Sequence, residues 1–508
     1  MINKYVVTFF LMLSISFLTT AQSFNLDLKG IVNKNISSSL IKGKEVVLKS
    51  VGTITIDGKT KTNFLVVFDE NVEFVEVNKL DQFTFNSLDQ DQFWKLQMLK
   101  LGVYKNIKKN GYQYELRKEL EVAALKYIKY AEDDNLIFKD SYLQSYLYSL
   151  AHKIHPKRIK DGRPGILNIK ILKDSDPNSF IFSNGTMFLT TGLLSTINSE
   201  EELIGIMAHE ISHYALDHTI NNINKIERRE KNAKIWSGVA MGLAAGVGAY
   251  ASPTNKYLNA GIYAAGAGVL AYAFSSEFNK YMGLKYSIEQ IVEADRCAVK
   301  LMKLIGVDPL ALSSALTKIK KYCILDGNYL ALMDTGAHPQ IVDRVNQIGS
   351  PTKDYNNINY NKTISFVNSF NAIAQLNKQH IESCSSLINR NIDAGVATQD
   401  DYVLLAKATT FMFDNKEKNN EALGYINTAK ELDISPSISL LKQEVILLIR
   451  LGSYTVAKDV LNKCLKVIKD EQLMLDKIKN PEYWSSLNNF LLREKSWTKN
   501  MINKVSTM

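Results

Sequence analysis

The hydrophobic rhythm of the chain changes several times between its ends. Met1 to Lys4 is short and basic, Tyr5 to Leu18 is a continuous apolar run, and the small residues Thr19, Thr20 and Ala21 follow. That order predicts a cleavable export signal over 1–21, because the run is short for a membrane span. Next come short runs of β-branched and aromatic residues: Lys44–Ser50, Thr53–Ile56 and Thr62–Phe68. Asp57-Gly58 is a hairpin signal between the last two. They predict a small β module over 22–88. From about Gln90 the apolar spacing turns helical, as in Leu120, Ala123, Ala124 and Tyr127, and 89–139 reads as a helical linker. Leu167–Leu172 and Phe180–Thr190 read as strands, the second broken by Asn184-Gly185. Glu201–Leu216 reads as a strong helix, with Asn198-Ser199 as caps and an acidic first turn.

Residues 235–255 and 257–276 carry no charge and are rich in Gly and Ala. Each is about long enough to span a bilayer, so the pair reads either as a membrane hairpin or as a soluble helical hairpin packed through small residues. Gly and Ala contribute little transfer energy, which favours the soluble form, with membrane contact as the alternative. Residues 366–508 are helical with a faint repeat. Ala422 and Ala429 are seven apart, as are Ala457 and Cys464, and the two pairs are offset by 35. Small residues at that spacing let helix pairs stack, and the offset is near the tetratricopeptide period.

Composition narrows the class. With 508 residues, 46% apolar and 22% charged, the chain is globular, and a mean hydropathy of −0.12 is too low for a polytopic membrane protein. The net charge of +9 is spread thinly and forms no dense Lys/Arg block, so no nucleic-acid partner is expected. Cys297, Cys323, Cys384 and Cys464 form no CxxC pair, and buried free thiols are expected.

The chemistry lies in His209-Glu210-Ile211-Ser212-His213. Positions i and i+4 share a helix face, so both imidazoles can bind one ion, and neutral imidazole suits zinc. Glu210 stands beside the first histidine as the general base for water attacking a peptide carbonyl. Some zinc helices are completed by a third histidine six residues on, after an intervening Gly. Here His218 lies five residues on, so the third ligand is expected from elsewhere.

Four stretches over about 140–350 resemble metallopeptidase family forty-eight. They are Asn178-Ser179-Phe180 with Ser183-Asn184-Gly185 and Gly192-Leu193-Leu194; Glu202-Leu203 ahead of the HExxH; Glu293-Ala294-Asp295-Arg296; and His338-Pro339 with Arg344. The resemblance implies a gluzincin-like domain with one zinc ion and protein or peptide substrates. It also implies an edge strand near Phe180–Thr190 that takes substrate as an added strand. In the family the third ligand is a Glu four residues before the Asp of the Ala-Asp pair, and Ile291 stands there. Three arrangements compete: Glu293 or Glu289 reaches the metal through a bulge or rotation, Asp295 binds it, or the site is incomplete. The resemblance makes Asp295 a partner that orients a ligand. It makes His338 a loop residue that restrains the metal or replaces a ligand; a plain loop histidine before Pro339 is the other reading. The expected site is therefore Glu210 and His338 as catalytic residues, with His209, His213 and Glu293 as metal ligands.

The expected fold is α+β and mostly helical. A small β module precedes a zinc metallopeptidase domain over 140–360, and helical repeats follow over 361–508. The expected function is a zinc-dependent endopeptidase exported to the cell envelope, acting on envelope proteins, with the repeats offering a surface to a protein partner. The alternatives are a catalytically silent relative working as chaperone or scaffold through those repeats, motivated by Ile291, and an intramembrane processor, motivated by 235–276.

Overall fold

The computed structural model describes residues 24–56, 59–85, 88–103, 112–155, 167–229, 286–325, 341–411, 415–432, 435–477 and 481–507. The expected signal at 1–21, the hairpin at 235–276 and His338 lie outside the described residues. The fold is α+β and mostly helical. It divides into two compact units: Met1–Lys173 with Asn178–Leu189 and Glu201–Tyr355, and Asp174–Pro177 with Thr190–Glu200 and Asn356–Met508.

The first unit opens with a five-stranded antiparallel sheet built from β1 (Phe24–Val32), β2 (Glu45–Ile56), β3 (Lys59–Phe68), β4 (Asn71–Glu76) and β5 (Phe83–Thr84), in the order β4-β3-β2-β1-β5. Alternation decides its inner face: Leu26 and Leu28, Val46 and Leu48, and Phe64, Val66 and Phe68 are buried. Leu96 and Leu99 of α1 (Gln90–Lys100) join that core. The sequence runs 44–50 and 53–56 form one strand, not two. A register shift between Leu48 and Ser50 absorbs the irregularity, and pairing continues through Gly52 to Ile56↔Lys59.

A second, three-stranded sheet contains β6 (Asn168–Leu172), β7 (Ser179–Ile181) and β8 (Thr186–Thr190), in the order β6-β8-β7. β7 and β8 form a hairpin closed by Gly185 at φ +84°, a conformation glycine adopts without strain. Within the expected region 180–190 only β7 is at an edge, and β8 is the central strand. Phe180, Phe182 and Phe188 pack around Tyr127 of α2 (Tyr112–Asp133), in one core with Tyr286 and Ile291.

Consecutive helices α11 (Ser365–Asn377), α12 (Ile381–Asp393), α13 (Gln399–Phe411), α14 (Lys416–Glu431), α15 (Ile438–Arg450), α16 (Tyr454–Leu475) and α17 (Pro481–Val505) make up most of the second unit. Each packs on the next. Ala422, Ala429, Ala457 and Cys464 are fully buried at the α14–α16 stack, where small side chains allow close approach. The segment α4 (Thr191–Thr196) belongs to this unit for a specific reason. A helix end leaves carbonyls unsatisfied, and Arg390 of α12 donates to Ser195 O and Ile197 O while Asn371 donates to Ser195 Oγ. All four cysteines are buried thiols. Among the described residues no helix is long and apolar enough to cross a membrane.

Candidate active site

The HExxH residues lie on α5 (Glu200–Ala215), which is buried from Glu202 to its end. A helix buried all round must satisfy every polar group it carries. Glu202 does so by accepting from Ser314 Oγ at 2.6 Å and Lys318 Nζ at 2.8 Å. Gly205 lets α8 (Leu310–Leu325) approach: a Cβ there would sit 3.1 Å from Leu312 Cα. The helix is thereby fixed before its last two turns present the candidate chemistry.

His209 and His213, one turn apart, converge with Nε2 atoms 3.1 Å from each other. The other nitrogen of each ring is engaged. His209 Nδ1 lies 2.8 Å from Asp295 Oδ1, on α7 (Ile288–Leu304). Asp295 also accepts two 2.8 Å hydrogen bonds from Arg344 on α9 (Ile341–Ile348), a bidentate pair that is itself buried. Burial opposes ionisation of Asp295, but Arg344 and His209 together hold its carboxyl well below the usual range. His213 Nδ1 lies 2.9 Å from His218 Nδ1, and its ring stacks on Tyr286 at 3.6 Å and 13°.

Glu210 is buried, and Ser179 at the start of β7 donates to its Oε1 at 2.7 Å. Burial pushes the Glu210 carboxyl above its ordinary value, against the pull of His209, the Ser179 hydrogen bond and Arg344. A carboxylate so placed holds a proton more readily than an exposed one.

Glu293 is brought to His218 instead, its Oε2 3.0 Å from His218 Nε2. Glu289 is on the exposed side of α7. Ile291, one turn before Asp295, is wholly buried among Tyr127, Phe180, Phe182 and Tyr286. Among the described residues no three His, Cys, Asp or Glu side chains are grouped to hold a metal ion. Sequence reasoning missed Ser179 as a partner of Glu210 and Tyr286 as the plate under His213. It read His218 only as a failed third ligand, although its spacing from His213 was the available signal.

A buried HExxH helix beside a small sheet, with its first histidine backed by a carboxylate, defines the HExxH metallopeptidase class. Within that class, residues 139–352 match the model of peptidase family M48, and this segment is a domain of that family. Over 196 residues the chain is 26% identical to the β-barrel assembly-enhancing protease of Escherichia coli O157:H7, covering 38% of this chain and 36% of that protein. It is 26% identical over 188 residues to the metalloprotease YcaL of Escherichia coli K12, covering 37% of this chain and 62% of that one. It is 30% identical over 109 residues to the mitochondrial metalloendopeptidase OMA1 of Bos taurus, covering 21% and 20%. The chain thus spans about a third of the length of the assembly-enhancing protease it matches.

Proposed function

We propose that the chain is a zinc-dependent endopeptidase of the cell envelope, with His209 and His213 holding the ion through Nε2 and Glu210 as general base. The observation that carries this reading is the 3.1 Å convergence of the two Nε2 atoms beside a buried carboxylate. Two imidazoles on one tetrahedral zinc, at Zn–N of about 2.0–2.1 Å, stand about 3.3 Å apart, so the pair fits with little adjustment. Zinc bound there supplies the Lewis acidity that makes water a nucleophile near neutral pH. With Ser179 occupying Oε1, Glu210 has Oε2 to take a proton from the attacking water and return it to the departing amine. β7 is at the sheet edge, and an extended substrate added to it by backbone pairing lies alongside Glu210, because Ser179 belongs to both. The basic and apolar N-terminal stretch supports export. The likeness to a β-barrel assembly-enhancing protease of Escherichia coli supports envelope proteins as substrates. The packed helices of the second unit provide a surface for a protein partner.

The test is zinc stoichiometry and peptide hydrolysis on the same preparation. One zinc per chain is expected, lost in His209→Ala. Hydrolysis is expected to be lost in Glu210→Gln with zinc and circular dichroism unchanged. Full activity in Glu210→Gln refutes the mechanism. A second reading, a catalytically silent relative acting through its helices, is favoured by Ile291, whose buried side chain stands where the family places a ligand. Its mark is a native chain without hydrolysis under any zinc load.

A further inference from the structure

The two histidines of α5 are held differently. Asp295 meets His209 directly, whereas the carboxylate on the far side of α7, Glu293, reaches His213 only through His218. We propose that Glu293 and His218 are positioning residues that fix the proton on His213 Nδ1 and so leave its Nε2 lone pair turned toward His209 Nε2. This inference rests on the zinc-site reading above, but its geometry does not need the ion.

Hydrogen-bond direction carries the argument. An ionised carboxylate only accepts, so the 3.0 Å contact to Glu293 requires a proton on His218 Nε2. In the zinc reading His213 turns its Nε2 lone pair to the ion and carries its own proton on Nδ1, so His218, protonated at Nε2, offers Nδ1 as acceptor. His213 Nδ1 then donates across the 2.9 Å contact. His213 is left with a lone pair on Nε2, matching His209, whose Nδ1 donates to Asp295. Two lone pairs facing each other at 3.1 Å repel unless a cation sits between them, so the relay prepares the pair for an ion.

The surroundings suit such a relay. Both nitrogens of the His218 ring are engaged, one by Glu293 and one by His213. His218 is turned back onto α5 by Asp217, a non-glycine residue at φ +62° that accepts the Asn221 amide and pairs with Arg117. Gln290 Nε2 donates to His218 O, and Tyr286 both stacks on His213 and contacts Thr219. The His218 ring thus has one place to stand.

Glu293 is one-third exposed, so it can be varied without emptying a core site. The experiment compares Glu293→Gln with Glu293→Leu in the full chain, using zinc affinity in a metal buffer. Both variants lose the charge, but only Gln keeps an oxygen that accepts from His218. Glu293→Leu is expected to weaken zinc roughly 10- to 100-fold, the usual cost of removing an outer partner, with Glu293→Gln close to native. Equal weakening in both, or none in either, overturns the relay. A second readout is ¹⁵N imidazole NMR of the metal-free chain. It should find His213 protonated at Nδ1 in the native protein and in Glu293→Gln, and a mixture of tautomers in Glu293→Leu. A native chain that binds no zinc refutes the zinc reading, and the NMR then decides the relay alone. His213 protonated at Nε2 in the native protein overturns it.

Discussion

Replacing Ile291 with Glu puts a carboxylate where the family places its third ligand, and the structure sets the size of the effect. Ile291 is 1% exposed in an aromatic core. Without metal the new carboxyl stays neutral. Holding it neutral at pH 7 against an ordinary value near 4.3 costs about 4 kcal/mol, at about 1.4 kcal/mol per pH unit. At about 2–4 °C per kcal/mol the melting temperature of the first unit falls by roughly 8–16 °C. Zinc reverses this if the carboxylate completes the site, because a ligand at 1,000 times its Kd stabilises the folded state by about 4 kcal/mol. The assay is a thermal melt with chelator and with buffered zinc, on native chain, Ile291→Glu and Ile291→Gln. The expected result is a low melting temperature for both variants in chelator and a zinc response in Ile291→Glu well above that of the other two. If zinc raises Ile291→Glu no more than Ile291→Gln, Ile291 does not stand at the ligand position and the incomplete-site argument fails.

Other residues give shorter tests. The folded-state value of Glu210 is raised above 4.5, so its ionised form destabilises the metal-free protein at neutral pH, and that cost fades as pH falls to the unfolded value. Metal-free Glu210→Gln should therefore melt higher than native at pH 7, with the advantage gone near pH 4.5; a constant gap across that range counts against a buried charge. Asp295→Asn strands the buried Arg344 guanidinium at a cost of about 3–5 kcal/mol. The double change Asp295→Leu with Arg344→Met should cost less than the two singles together in urea unfolding, and strict additivity contradicts their pairing. Gly192→Ala would place a Cβ 2.3 Å from Ser175 O, a backbone atom, and is expected to cost about 3 kcal/mol in the same assay. Native-like stability there shows that the Asp174–Pro177 segment can yield.

How much the sequence revealed follows from the range of each interaction. The HExxH pair was legible because i and i+4 share a face by helix geometry alone, and the β module because Leu26, Leu28, Phe64 and Val66 obey the two-residue period of a strand. The supports of the site were not, because they join residues far apart in the chain: Ser179 to Glu210, Arg344 to Asp295, Glu293 to His218. The allegiance of 190–200 was equally hidden, since it depends on Arg390 reaching two carbonyls almost two hundred positions away. Glu293 lay between these cases. At about 100° per residue it sits roughly 160° around α7 from Asp295, which told against a shared ligand role but named no partner. The structure supplies one: the two sides of α7 serve the two histidines separately. A buried Arg–Asp pair and a buried histidine contribute little net stability compared with apolar packing, so that economy does not explain them. Under the zinc reading they are accounted for by orientation, because they turn two imidazole lone pairs to one point. In that reading His209 and His213 each have an outer support, and Ile291 stands where the family places the third ligand. The zinc response of Ile291→Glu therefore reads directly whether a carboxylate at position 291 reaches that point.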